Sequence, residues 1–166
     1  MRSTASWWAS KVRQFRAHLR AGVAPDERAA LEDWTTREQR RLFDAMHVAD
    51  RRHGLDVVAA LHRAGVADRD VFVAGLLHDA GKGDAGVLPR VAYSLGQAWG
   101  SWVWRLAGAV PGWREPLRRL RDHAELSAAL TERAGCSERT VALIRHQDAP
   151  QDPEFGELLR RADEAN

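Results

Sequence analysis

Leu76-Leu77-His78-Asp79-Ala80-Gly81-Lys82 is the stretch on which the reading of this chain turns. It follows Val71, Phe72, Val73 and Ala74, so the apolar run covers nearly every side of a helix and predicts a buried one. An imidazole and a carboxylate side by side at the end of such a helix must have their desolvation offset. A cation does this economically, because the carboxylate brings charge and the neutral imidazole a lone pair. The competing reading is a helix-end His with its hydrogen bonds satisfied and an Asp solvated near Gly81. Two adjacent residues alone do not separate the two.

Working outward, 166 residues suit one domain with a real core. An apolar share of 45% beside 29% charged residues fits a globular chain rather than a disordered one. The net charge is only +2, and arginines sit beside acids, as Arg118, Arg119 and Arg121 do with Asp122. That pattern reads as solvated faces, and no nucleic-acid partner is expected. The single Cys136 excludes an internal disulfide and fits a reducing compartment. A polar stretch after Met1 is unlike a secretory leader, so the expected location is cytoplasmic. Four of the seven tryptophans, Trp99, Trp102, Trp104 and Trp113, crowd one short segment.

Residues 6–20 read as an amphipathic helix, with Trp8, Val12, Phe15 and Leu19 on one side and Lys11, Arg13, Arg16 and Arg20 elsewhere. Packing against the domain is the favoured expectation for it, and contact with an anionic membrane the lesser one. Asp26 opens a short helix through Trp34, and Thr35 with Glu38 signals a capping box for a helix to about Met46. A helix from Ala49 to Ala64 stops at Gly65 and turns His53, Val57, Ala60 and Leu61 to one face. His62 falls on the polar side with Arg52, Asp56 and Arg63, as a surface residue. Asp68 caps the helix that delivers His78 and Asp79.

Residues 90–110 are apolar but interrupted by Gln97, Arg105 and three glycines, which argues against a spanning helix. One or two buried helices, or a partner-binding surface, fit better. A helix over 115–134, bent near Asp122, carries His123. Ser137 caps a short helix ending near His146, and a last helix carries Leu158, Leu159, Ala162 and Asp163. No strand alternation is seen. The fold class is all-α, a bundle of eight or nine helices, with residues 1–44 as a helical extension, 45–166 as the metal-binding domain and 90–113 as a Trp-rich insertion.

His53, His78, Asp79, His123, His146 and Asp163 thus come from separate helices or helix ends, apart from the adjacent pair. Bundles build metal sites from such residues, and four His with two Asp could serve two ions with one carboxylate bridging. This is the composition of a two-metal hydrolytic site, where metal-bound water is the nucleophile. The ordered run His53, Ala74-Gly75-Leu76-Leu77-His78-Asp79-Ala80-Gly81-Lys82, His123-Ala124-Glu125-Leu126-Ser127, Ile144-Arg145-His146, Ala162-Asp163 resembles the HD-domain superfamily over residues 45–166. That superfamily is all-α and consists largely of metal-dependent phosphohydrolases and phosphodiesterases.

The resemblance implies that His53, His78, Asp79 and Asp163 bind a first metal and that Asp79 bridges to a second held by His123 and His146. It implies one or two divalent ions (Mn, Fe, Ni, Co or Zn, with Mg as a further option), a catalytic role for Asp79, and Lys82 near the substrate phosphate. His47 is the rival for the first ligand. Arg145-His146 stands where dinuclear relatives often have His-His, Ser127 where glycine is common, and no Gly-Tyr-Pro signature follows. The function implied is a phosphohydrolase acting on a nucleotide or other small phosphorylated metabolite. The alternatives are a dinuclear iron oxygenase of the same superfamily and a non-catalytic binding module. For partners, a small phosphorylated molecule is expected; a membrane contact through 6–20 or 90–113, or self-association through the Trp-rich segment, is the lesser expectation.

Overall fold

A computed structural model describes residues 22–166. The expected helix over 6–20 lies outside the described residues. Ten helices follow: α1 (Pro25–Ala30), α2 (Arg37–Ala45), α3 (Val48–Arg63), α4 (Arg69–Leu77), α5 (Val87–Trp99), α6 (Ser101–Ala107), α7 (Arg114–Arg121), α8 (His123–Arg133), α9 (Glu138–Arg145) and α10 (Gly156–Ala165). Short 3-10 turns cover Leu31–Asp33 and Ala80–Lys82, and the described residues include no strand. The class is therefore all-α, as expected, with more pieces than eight or nine. The 115–134 span breaks outright at Asp122 instead of bending, and the 90–110 span makes two helices parted at Gly100.

Local signals explain most helix ends. The Asp68 carboxylate accepts from the amides of Asp70 and Val71 at 2.8 and 3.3 Å, and Ser137 Oγ accepts from Thr140 N–H at 3.1 Å. Gly65 ends α3 at φ 82°, where a side chain would be strained. The capping box sits one residue later than expected. Thr36 Oγ1 accepts from Gln39 N–H at 3.2 Å while Gln39 Oε1 accepts from Thr36 N–H at 2.9 Å. Thr35-x-x-Glu38 and Thr36-x-x-Gln39 satisfy the same pattern; Thr35 is buried and donates its hydroxyl to Leu31 O, which leaves Thr36 to cap.

The core forms where α3, α4, α9 and α10 meet. Val57 and Leu61 from α3, Val71, Val73, Leu76 and Leu77 from α4, Ile144 from α9 and Leu159 from α10 are all buried in it. Leu31 and Phe43 close it from the N-terminal side. Each such side chain contributes about 1.5–3 kcal/mol on burial, so the helices that carry His53, His78 and Asp163 are anchored in this core. Two glycines set their spacing. A Cβ on Gly54 would lie 2.5 Å from Leu76 O, so α3 and α4 touch backbone to backbone. A Cβ on Gly81 would lie 2.6 Å from both His123 O and Ser127 N, so the turn after Asp79 rests directly on the start of α8.

The α5–α6 hairpin is held together by Trp104. Its indole stacks on Tyr93 with ring centroids 5.5 Å apart, donates to Tyr93 O at 3.1 Å and occupies the space that a side chain at Gly96 would need. The interruption at Gly96 thus has a packing reason. The expectation of buried helices here is only partly met, because one side of the hairpin remains exposed.

Candidate metal centre

His53 projects from the middle of α3, His78 caps the C-terminus of α4, and Asp163 sits in the last turn of α10. The Gly54–Leu76 contact brings the first two together, with ring centroids 5.2 Å apart. His53 Nε2 donates to Asp163 Oδ1 at 2.7 Å, and His78 Nε2 lies 3.3 Å from the same oxygen. One ligand atom from each of His53, His78 and Asp163 falls within 4.8 Å of the others, close enough to share one ion. The sequence rival His47 is accounted for otherwise: it caps α3, its Nδ1 accepting from Ala49 N–H at 3.2 Å.

Asp79 and His78 are each only 2% exposed. His78 Nδ1–H donates to Gly75 O at 3.0 Å, which turns Nε2 toward the carboxylates. Nε2 then lies 3.5 Å from Asp79 Oδ1. Both of those atoms are buried, and neither makes a hydrogen bond. Leaving a buried polar atom unsatisfied costs about 1–3 kcal/mol, and a positive charge between the two, a proton on Nε2 or a metal ion, would satisfy both. A second histidine approaches the same oxygen of Asp79. His123 Nδ1–H donates to Leu120 O at 2.9 Å, and its Nε2 stands 3.8 Å from Asp79 Oδ1. Burial, and then the nearby Lys82 charge, lower the pKa of His123 and keep it neutral, with a lone pair to offer.

The charges are mutually supported. Burial pulls His78 down, but the negative charges of Asp79 and Asp163 more than offset it and raise its pKa to about 9. Burial would push both carboxylates up. The charges of His78 and Lys82 outweigh this at Asp79, and the His53 hydrogen bond with the neighbouring His78 does so at Asp163, so both stay far below the usual carboxylate range. Lys82 Nζ donates to Asp79 Oδ2 at 2.6 Å. That bond occupies the outer oxygen and leaves the inner one, Oδ1, facing the histidines.

No protein-family model, no curated protein and no solved structure matches this chain.

The placement of the six candidate ligands is therefore uneven. His53, His78 and Asp163 converge, Asp79 adjoins them, and His123 lies near the same Asp79 oxygen as His78. His146 is half-buried at the C-terminus of α9, and its ring makes no hydrogen bond or ion pair with the other five. Two participants escaped the reading from sequence. Asp50, one turn before His53, is 4% exposed and takes a bidentate bond from Arg90, both contacts at 2.7 Å. Arg90 also donates to Gly83 O at 3.0 Å. A charged residue three positions before a core-facing His was the available signal. Ser127, noted only as a departure from glycine, is fully buried and accepts Gly81 N–H at 2.8 Å, pinning the turn that presents Asp79.

Arg119 completes the rim. A Cβ on Gly83 would lie 3.0 Å from its guanidinium, and Gly83 has φ 58°, a left-handed conformation suited to glycine. Arg90 and Arg119 thus border one glycine, whose chain neighbour Lys82 holds Asp79.

Proposed function

We propose that this protein is a metal-dependent phosphohydrolase of the HD-domain type, acting on a nucleotide or other small phosphorylated metabolite. One observation carries the reading: His53, His78 and Asp163 converge beside two buried, unsatisfied atoms, His78 Nε2 and Asp79 Oδ1. Those residues fit a divalent ion of the Mn, Fe, Ni, Co or Zn group in donor type. His123 with Asp79 offers the donors for a second ion. A bound ion supplies Lewis acidity toward a phosphoryl oxygen and makes water acidic enough to act as a nucleophile near neutral pH.

The chain's own residues do the rest. Gly75 O and Leu120 O fix the ring orientations of His78 and His123 through their Nδ1–H groups. Lys82 orients Asp79 and places a positive charge beside it. Arg90 and Arg119, on the rim at Gly83, offer planar donors that suit a phosphate. Lys82, Arg90 and Arg119 are each paired with a carboxylate, and an anionic substrate would engage them by displacing Asp79, Asp50 or Glu115.

The test is metal analysis of the purified protein, followed by turnover of phosphomonoesters, nucleotides and cyclic nucleotides with each metal. At least one ion per chain and hydrolysis with one of the pairs are expected. Saturating metal, at about 100 times its Kd, should raise the unfolding midpoint by roughly 5–10 °C, and His78→Ala should abolish that shift. Dioxygen uptake by the iron-loaded protein with no phosphate release, or a metal-free protein indifferent to chelator, would replace this reading.

A further inference from the structure

The proposed chemistry leaves the outer side of the α5–α6 hairpin without a task. Among the described residues, every large apolar side chain that stands exposed lies between Val87 and Val110. Leu88 and Val91 lie on one stripe of α5, where Leu88 is 65% exposed. Trp102, Leu106 and Val110, spaced by four, continue the surface along α6 and beyond it, with Trp102 at 51% and Leu106 at 64%. The opposite side of α6 is used up by Trp104 against Gly96 and Tyr93. Among the described residues no helix is long and apolar enough to cross a membrane, so the exposed stripe belongs to a surface.

Charge identifies what fits that surface. Residues 87–121 carry six arginines against one acid, Glu115, and four of the six are already paired: Arg90 with Asp50, Arg118 and Arg119 with Glu115, and Arg121 with Asp122. Arg105 and Arg114 are exposed and have no ion-pair partner among the described residues. Segment 1–21 carries five basic residues and no acid, so its charge does not complement that of the hairpin. The rest of the chain is acidic, with 14 basic residues against 22 acidic ones. A second copy therefore offers either a like-charged hairpin or, among the described residues, an acidic body with no large exposed apolar side chain to match. Exposed tryptophan and leucine rimmed by unpaired arginine is the chemistry of a helix lying in an anionic bilayer interface.

We infer that the α5–α6 hairpin docks on an anionic lipid surface. The apolar stripe enters the headgroup boundary and Arg105 and Arg114 meet lipid phosphates, each worth roughly fivefold in partitioning. The buried Arg90–Asp50 pair fastens the hairpin to α3, so docking leaves the metal-bearing helices in place.

The test is flotation of the full chain with vesicles of phosphatidylcholine alone and of phosphatidylcholine with 30% phosphatidylglycerol. Anionic vesicles should bind at least tenfold better than neutral ones, and 500 mM salt should weaken this at least tenfold relative to 50 mM. Trp102→Ser/Leu106→Ser should lower vesicle affinity at least tenfold with an unchanged unfolding midpoint, since both side chains are exposed. Arg105→Glu/Arg114→Glu should lower it further still. Equal or absent binding to the two vesicle types overturns the inference, as does full affinity in the Trp102/Leu106 variant. A dimer that dissolves in that variant, or duplex DNA binding without vesicle binding, assigns the surface elsewhere and overturns it too.

Discussion

Gly54→Ala places a methyl group where α3 meets α4. The new Cβ would lie 2.5 Å from Leu76 O and 3.2–3.3 Å from Leu76 C and Cα, against 3.4 Å or more for ordinary contact. All three obstacles are main-chain atoms, so no side chain can swing aside and the helices must part by up to about 0.9 Å. Overpacking of this kind costs about 1–3 kcal/mol, and a rigid obstacle puts the cost at the upper end. Alanine's better helix propensity returns about 1 kcal/mol. The net loss is therefore about 1–2 kcal/mol, or roughly 3–8 °C in the unfolding midpoint for a chain of this size. Because His53 precedes Gly54 and His78 follows Leu77, the same displacement spreads the rings now 5.2 Å apart. Metal affinity should fall roughly tenfold or more, as it does when a ligand's support is removed. Urea unfolding followed by circular dichroism reads the first effect, and calorimetric Zn or Mn titration the second. A variant more stable than wild type by about 1 kcal/mol, the propensity gain alone, with undiminished metal affinity would refute the close backbone contact as the device that sets the site.

Ser127→Ala should destabilise by about 1–3 kcal/mol in urea unfolding, because it strands the buried Gly81 N–H; Ser127→Gly should be no better. Arg90→Ala leaves Asp50 buried without its partner and should cost about 3–5 kcal/mol. The double change Asp50→Asn/Arg90→Gln should recover part of that loss, and thermal unfolding of the three variants compares them directly. Burial, more than any other influence, raises the Cys136 thiol above its ordinary pKa. Its alkylation by iodoacetamide should accordingly be slower than that of a free cysteine peptide at pH 8 and should keep rising as pH passes 9, where the thiolate forms; a rate already at its plateau at pH 8 would contradict this.

Much of the fold is written in local signals. Asp68 and Ser137 as caps, Gly65 as a stop, and the apolar run before His78 each need only a few neighbouring residues, and each appears as expected. The Thr36 cap was misplaced by one residue because two overlapping pairs satisfy one pattern, and only the burial of Thr35 separates them. His53 was separable from His47 because apolar periodicity points it inward, whereas His47 begins the helix. The partnership of Asp50 with Arg90 joins residues 40 apart, and no periodicity announces it. The break at Asp122 was legible in place but not in degree: the sequence suggests a bend there, whereas one helix ends and α8 starts at His123.

The rim at Gly83 has a further bearing on how the site handles anions. Each cation there already has its own carboxylate: Lys82 has Asp79, Arg90 has Asp50 and Arg119 has Glu115. Under the proposed function an incoming phosphate would not meet an unanswered well of positive potential; it would compete with counter-charges that are already seated. Such a mouth trades grip for exchange. Under the proposed function it would tell charged molecules apart by whether they can displace a partner, and would let them go when that partner returns.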